Sequence, residues 1–204
     1  MKNIDNIIFD LGGVIMNLDF HKTISSFNEL MEIDFFEVFN GKQQQPVIDA
    51  IETGQVTPEE FRAELRKLFN ITADDATIDA AWNAMLLDFP KEKIELVKTL
   101  KERKRTFLLS NTNAIHLIEA GKRLSENYNG LTLEDMFEKT YYSHIVKDRK
   151  PNTSIYQLII DENQLDPERT VFIDDNFDNI EGAKKTGLKT IHITGNVDIL
   201  NLEF

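Results

Sequence analysis

Four short apolar runs punctuate the chain, and each ends abruptly on a polar residue. They are Asn6-Ile7-Ile8-Phe9 before Asp10, Thr106-Phe107-Leu108-Leu109 before Ser110, Thr170-Val171-Phe172-Ile173 before Asp174, and Thr190-Ile191-His192-Ile193 before Thr194. Runs without alternation predict strands buried on both faces, as in a parallel sheet. Helical patterns lie between them. Residues 91–102 set Ile94, Val97 and Leu100 on one stripe, and residues 152–163 carry Ile155, Leu158 and Ile159 behind Pro151, with Asn152 as the cap. Residues 180–186 stop at Gly187, which suits the left-handed position after a helix. Strand, helix, strand in this order predicts an α/β fold with a three-layer, Rossmann-like core and a doubly wound parallel sheet. Ligands of such sheets bind at the carboxyl ends of the strands.

One stretch breaks this rhythm. From about residue 17 to residue 89 the periodicity is helical, with no convincing strand. Thr57-Pro58-Glu59-Glu60 reads as a capping box with proline at the first helical position. The helix it opens places Phe61, Leu65, Leu68 and Phe69 on one face. The expected organisation is a core of residues 1–16 and 90–204 with a small all-helical domain, residues 17–89, inserted after the first strand. Phe27, Phe35, Phe36, Phe39, Phe61 and Phe69 are expected to fill that insertion, with Trp82 packed near its end.

Composition narrows the partners. With 23 Lys+Arg against 35 Asp+Glu among 204 residues, the net charge is −12. A protein that neutralises a phosphate backbone needs basic density, so nucleic acid is not the expected partner. Apolar residues make up 41% and charged residues 28%, an ordinary globular balance. The absence of cysteine excludes disulfide scaffolds, thiolate metal sites and cysteine nucleophiles. Residues 1–10 are broken by Asn3, Asp5 and Asn6 and do not read as an export signal, and no apolar run approaches the ~20 residues of a membrane span. These features predict a cytoplasmic protein.

The polar residues that end the strands converge in such a sheet, so Asp10, Ser110, Lys150 and the pair Asp174-Asp175 form one candidate constellation. Clustered carboxylates repel one another unless a cation neutralises them. Mg²⁺ suits them, since it takes hard oxygen ligands and leaves positions for waters and a substrate phosphate. A nearby hydroxyl, amide and ammonium would bind the remaining phosphoryl oxygens.

The local sequences Phe9-Asp10-Leu11-Gly12-Gly13-Val14, Leu109-Ser110-Asn111-Thr112-Asn113, Arg149-Lys150-Pro151 and Phe172-Ile173-Asp174-Asp175-Asn176-Phe177-Asp178-Asn179 resemble, in order, the four motifs of the haloacid dehalogenase (HAD)-like hydrolases. The helical insertion resembles that superfamily's cap, and the whole is similar to bacterial sugar-phosphate (glucose-1-phosphate-type) phosphatases. The resemblance implies a Mg²⁺-dependent phosphoric monoester hydrolase acting on a small phosphorylated metabolite through an aspartyl-phosphate. Asp10 would be the nucleophile and a metal ligand, the Gly12 carbonyl and Asp175 further ligands, and Asp174 their support. Ser110 and the Asn111 backbone would hold phosphoryl oxygens, and Lys150 would pair with both nucleophile and phosphate. Asn179 stands where many relatives have an acidic residue that binds metal-bound water.

Gly12 is the departure, because most phosphatases of the family carry there an aspartate that acts as general acid and then base. Its loss implies substrates with good leaving groups, or a replacement acid from Asp19 or His21 at the start of the insertion. Two other functions fit parts of the pattern: a metal-independent 2-haloacid dehalogenase, which also lacks that acid, and a weakly active relative that binds a phosphorylated metabolite. The Asp174-Asp175 pair argues against the first, and retention of Asp10 and Lys150 against the second. Arg149 and Lys147 read as surface residues, and the four histidines as structural or surface groups, with His21 the candidate for the mouth of the site.

Overall fold

The computed structural model describes residues 3–31, 35, 46–195 and 197–204. Among them, five strands form one parallel sheet in the order β3-β2-β1-β4-β5. These are β1 (Asn6–Phe9), β2 (Arg105–Ser110), β3 (Lys139–Tyr142), β4 (Thr170–Asp174) and β5 (Lys189–His192). Four coincide with the predicted runs. The fifth, β3, escapes a search for apolar runs because its sequence is Lys-Thr-Tyr-Tyr and it lies at an edge of the sheet, where one flank needs no strand partner. The chain winds outward from β1 to β3 and then crosses back to β4 and β5. The change of direction falls between β1 and β4, the switch point at which such sheets open a crevice.

Period-two alternation divides the central strands between two faces. Ile7, Phe9, Leu108, Val171 and Ile173 pack on one face, with helices α5 (Lys91–Lys101) and α6 (Ala114–Asn127) supplying Ile94, Val97, Leu100, Ile115 and Leu124. Ile8, Phe107, Leu109 and Phe172 pack on the other, against Ile155, Tyr156 and Ile159 of α9 (Thr153–Asn163) and Ile180 and Ala183 of α10 (Phe177–Lys184). The α9 stripe is rotated from the expected one: Tyr156 and Ile160 are buried while Leu158 is only partly so. Asn113 caps α6, its Oδ1 accepting from the His116 N–H at 3.0 Å.

Helices also occupy the insertion: α1 (Phe20–Asn28), α2 (Pro46–Glu52), α3 (Pro58–Phe69) and α4 (Asp75–Asn83). The Thr57–Glu60 capping box opens α3, with Phe61 and Leu65 buried; Leu68, expected on the same face, is exposed. Phe27 stacks on Phe35 at 4.3 Å, and Trp82 lies against Phe27 and Phe61. Phe36 and Phe39 fall outside the described residues. The chain leaves and re-enters the sheet region through two paired segments, Asn17 with Leu87 and Asp88, and Asp19 with Met85, joined by backbone bonds of 2.9–3.0 Å. Further contacts among the described residues tie these helices to the rest. His116 of α6 stacks on Trp82 at 4.8 Å and 14°, its Nδ1 2.9 Å from Asn83 Oδ1. Arg149, expected at the surface, is instead half-buried and pairs with Asp49 and with Glu52 of α2. No helix among the described residues is long and apolar enough to cross a membrane.

Burial in this contact lowers the His116 pKa from its ordinary 6.5 to about 3. The folded protein therefore holds His116 neutral over a range in which the unfolded chain takes up a proton. Its contribution to stability is complete above about pH 6.5 and is lost progressively as the pH falls toward 3, at about 1.4 kcal/mol per pH unit. His116→Gln is expected to flatten the acid loss of stability between pH 6.5 and 4, read from urea midpoints; an unchanged slope would show that His116 is not held neutral.

Candidate active site

The register of the three central strands brings their ends to nearly one level. Phe9 pairs with Leu108 on one side and Ile173 on the other, so Asp10 and Asp174 emerge at one level and Ser110 one residue beyond it. The Asp10 N–H still donates to the Ile173 carbonyl at 2.9 Å, which continues the ladder to the residue carrying the carboxylate. Lys150 arrives from the segment between α8 (Ser143–Val146), which follows α7 (Leu133–Met136) and β3, and α9. Its side chain is 1% exposed, and Nζ lies 2.8 Å from Asp10 Oδ1 and 2.6 Å from Asp174 Oδ2.

Asp174 is fully buried and heavily bonded. Besides Lys150, it accepts from Asn179 Nδ2 at 3.0 and 3.1 Å and from the Asn176 N–H at 2.8 Å. Asn179 thus turns its amide to Asp174, and its backbone carbonyl accepts from Tyr156 Oη at 2.8 Å. Asp10 has fewer partners: Lys150 and the Leu11 N–H at 2.7 Å both fall on Oδ1. Burial pushes the Asp10 carboxyl well above the ordinary range; Lys150 opposes this, and Asp174 adds to it. Asp175 is raised as well, first by burial and then by Asp174. Burial acts to lower the Lys150 pKa, but Asp10 and Asp174 outweigh it and hold the ammonium above its usual value. One ammonium is thus set against three carboxylates, which each place an oxygen within 4.8 Å of the others. Buried charge of one sign is costly without a counter-ion, so this donor set fits a hard divalent cation.

Two glycines shape the loop that follows β1. Gly13 has φ +70°, and a Cβ there would lie 2.1 Å from Asp175 Oδ2, so the carboxylate rests where a side chain would stand. At Gly12 a Cβ would lie 2.5 Å from Leu18 Cδ1. The space beside Gly12 is therefore filled by leucine. Asp19 follows directly, half-buried, its Oδ1 capping α1 through the His21 N–H at 3.0 Å, and the His21 side chain is exposed.

Ser110 is buried at the end of β2. The Asn111 side chain turns to the Lys150 backbone, with Nδ2 donating to its carbonyl and Oδ1 accepting from its N–H, both at 2.9 Å. His192 lies beside Asp174 in register, with Nε2 2.9 Å from the Asp175 carbonyl oxygen. The Gly12-Gly13 pair was a visible signal for the loop. Nothing local in the sequence marks the Asn111 or His192 side-chain contacts.

Residues 4–187 match the haloacid dehalogenase-like hydrolase family. The chain belongs to that family. Across 197 residues this hydrolase is 28% identical to the D-ribitol-5-phosphate phosphatase of Bacteroides thetaiotaomicron, covering 96% of this chain and 94% of that protein. It is similar in structure to a HAD family enzyme of B. thetaiotaomicron in complex with magnesium and inorganic phosphate, with 36% identity, TM-score 0.84, and 96% of this chain and 97% of that one covered. A HAD-like family hydrolase from Porphyromonas gingivalis is similar at 32% identity and TM-score 0.85, over 93% of this chain and 91% of the other.

The two glycines of the hydrolase are expected to respond differently to a methyl group. Gly13→Ala combines positive φ with a clash on a carboxylate and should weaken Mg²⁺ binding at least ~10-fold, a loss of about 1.4 kcal/mol or more. Gly12→Ala meets only the end of a flexible leucine and should change it little. Calorimetric Mg²⁺ titration of both variants decides; equal affinities would remove Asp175 from the ligand set.

Proposed function

We propose that this hydrolase is a Mg²⁺-dependent phosphatase of a small phosphorylated sugar or polyol. The observation that carries the reading is the Asp10 carboxylate at the switch point, held by Lys150 and sharing a 4.8 Å cluster with Asp174 and Asp175. Asp10, Asp175 and the Gly12 carbonyl would hold Mg²⁺, with Asp174 supporting them. When bound, Mg²⁺ neutralises phosphate charge and polarises the phosphoryl group.

In this reading an Asp10 oxygen attacks phosphorus, the phosphorus–oxygen ester bond breaks, and the leaving alkoxide takes a proton to become the product alcohol. Water then cleaves the aspartyl-phosphate, releasing inorganic phosphate and restoring Asp10. Lys150 balances negative charge on Asp10 and the transferring group, and Ser110 with the Asn111 N–H orients phosphoryl oxygens. Residues 17–89 act as a cap whose closure excludes water and restricts entry to small substrates. Phosphorylated metabolites are retained in the cytoplasm by their charge, and we place the enzyme there. The metal-independent dehalogenase reading leaves the Asp175 carboxylate and its Gly13 cradle without a purpose.

A panel of alditol and sugar phosphates is expected to show turnover that requires Mg²⁺ and falls on the order of 10⁴-fold or more in Asp10→Asn. Turnover of 2-haloacids in EDTA, with none of phosphates, would overturn the reading.

Asp19 is the proposed replacement for the acid missing at Gly12, since it adjoins the leucine that fills the vacant space. Asparagine caps a helix as well as aspartate does, so Asp19→Asn separates chemistry from capping. On alkyl phosphates kcat is expected to fall by roughly 10²-fold, within the usual range for general acid catalysis. On p-nitrophenyl phosphate, whose leaving group needs little protonation, the change should be several-fold at most. Equal losses on both would exclude Asp19 as the acid.

A further inference from the structure

Lys150 has an exacting task for a long side chain, since its ammonium bridges two carboxylates at 2.8 and 2.6 Å while almost wholly buried. A lysine stem carries several rotatable bonds, so the position of its tip depends on how firmly its backbone is held. Lys150 lies in neither a helix nor a strand, so no regular ladder holds it. The Asn111 amide takes that place. Its Nδ2–H donates to the Lys150 carbonyl and its Oδ1 accepts from the Lys150 N–H, both at 2.9 Å. This is the reciprocal exchange that two paired strand residues make, supplied by a side chain where no strand continues.

The anchor is itself fixed. Asn111 follows the last residue of β2, and the next residue, Thr112, is held by Ser143. Ser143 Oγ accepts from the Thr112 N–H and donates to its carbonyl, both at 2.9 Å. A continuous hydrogen-bonded path therefore runs from the ends of β2 and β3 to the Lys150 backbone. Asparagine is matched to this task, because aspartate has no donor for the carbonyl, glutamine is one methylene longer, and alanine offers neither bond.

We infer that the Asn111 side chain is a positioning residue that sets the Lys150 ammonium between Asp10 and Asp174 and does not itself touch the reacting atoms. The kinetic part of the test rests on the phosphatase reading above; the spectroscopic part does not.

The kinetic part is a double-mutant cycle with Asn111→Ala, Lys150→Ala and the double variant, using Mg²⁺-loaded protein and p-nitrophenyl phosphate. Asn111→Ala should lower kcat by ~10–100-fold in the wild-type background and by less than about twofold in the Lys150→Ala background, with the Mg²⁺ activation constant within about threefold of wild type. Equal losses in both backgrounds would overturn the inference. A wild-type enzyme without Mg²⁺- and Asp10-dependent turnover would instead overturn the phosphatase reading. The spectroscopic part follows the ¹⁵N ammonium signals of Lys150 and of Lys93, a second buried lysine bonded to the Val14 carbonyl at 2.8 Å. Asn111→Ala should broaden or shift the Lys150 signal and leave that of Lys93 in place; an unchanged Lys150 signal would overturn the inference. If Asn111→Ala does not fold, Asn111→Asp replaces it in both parts. That variant keeps the acceptor but lacks the donor, and wild-type behaviour in it would equally exclude the clamp.

Discussion

The structure depends on how it accommodates one unbalanced set of charges, buried at Asp10, Asp174 and Lys150 and open to solvent at Asp175. Three carboxylates meet one ammonium at the carboxyl edge of a parallel sheet, and Asp174 and Lys150 have almost no contact with solvent. Isolated burial of such groups costs several kcal/mol each, so the arrangement survives only where hydrogen bonds and ion pairs are in place before a cation or substrate arrives. Asp174 shows the solution most fully. Lys150, Asn179 and the Asn176 N–H saturate it, so that it organises the centre while Asp10 and Asp175 keep coordinating capacity. The strained partner is Asp10, whose raised pKa reflects a carboxylate with too little compensation in the protein alone. That residual demand makes the site suited to a divalent cation, despite a chain with net charge −12.

Rigidity around this centre comes from elements that contribute no chemistry. The central strand β1 is paired on both sides, which leaves Asp10 little freedom. The loop behind it is held by Lys93, whose ammonium reaches the Val14 carbonyl and also lies 3.1 Å from Asp198 near the C-terminus. Among the described residues, the inserted helices join the same framework at several places, including the paired segments near Asn17 and Asp88, the Trp82–His116 stack, and the Arg149 pairing with α2. Arg149 directly precedes Lys150, so the insertion grips the segment that also presents the ammonium. The insertion and the placement of Lys150 are therefore mechanically adjacent.

Much of the fold was legible because its physics is local. A strand buried on both faces must be continuously apolar, which located β1, β2 and β4; a similar run located β5, although that edge strand is only partly buried. The edge strand β3 was not, because aromatic and polar residues satisfy an edge as well as a loop. The α3 capping box was legible for the same local reason, while exposure of Leu68 depended on what α3 packs against. Among site residues, the strand ends mark Asp10, Ser110 and Asp174 from the sequence alone. Arg149 was misread as a surface charge because its partners Asp49 and Glu52 lie about a hundred residues away.

What the amino-acid sequence determined by itself was the alternation of strand and helix, the helical interruption after the first strand, and the identity of the groups at the strand ends, since each follows from neighbouring residues. The tertiary structure alone decided which groups face one another. Asn111 turns its amide to the Lys150 backbone, Asn179 turns its own to Asp174, and Leu18 fills the space beside Gly12. The physical reason is that hydrogen bonds and steric exclusion act over a few ångströms in space, whereas the residues they join stand from five to thirty-nine positions apart in the chain.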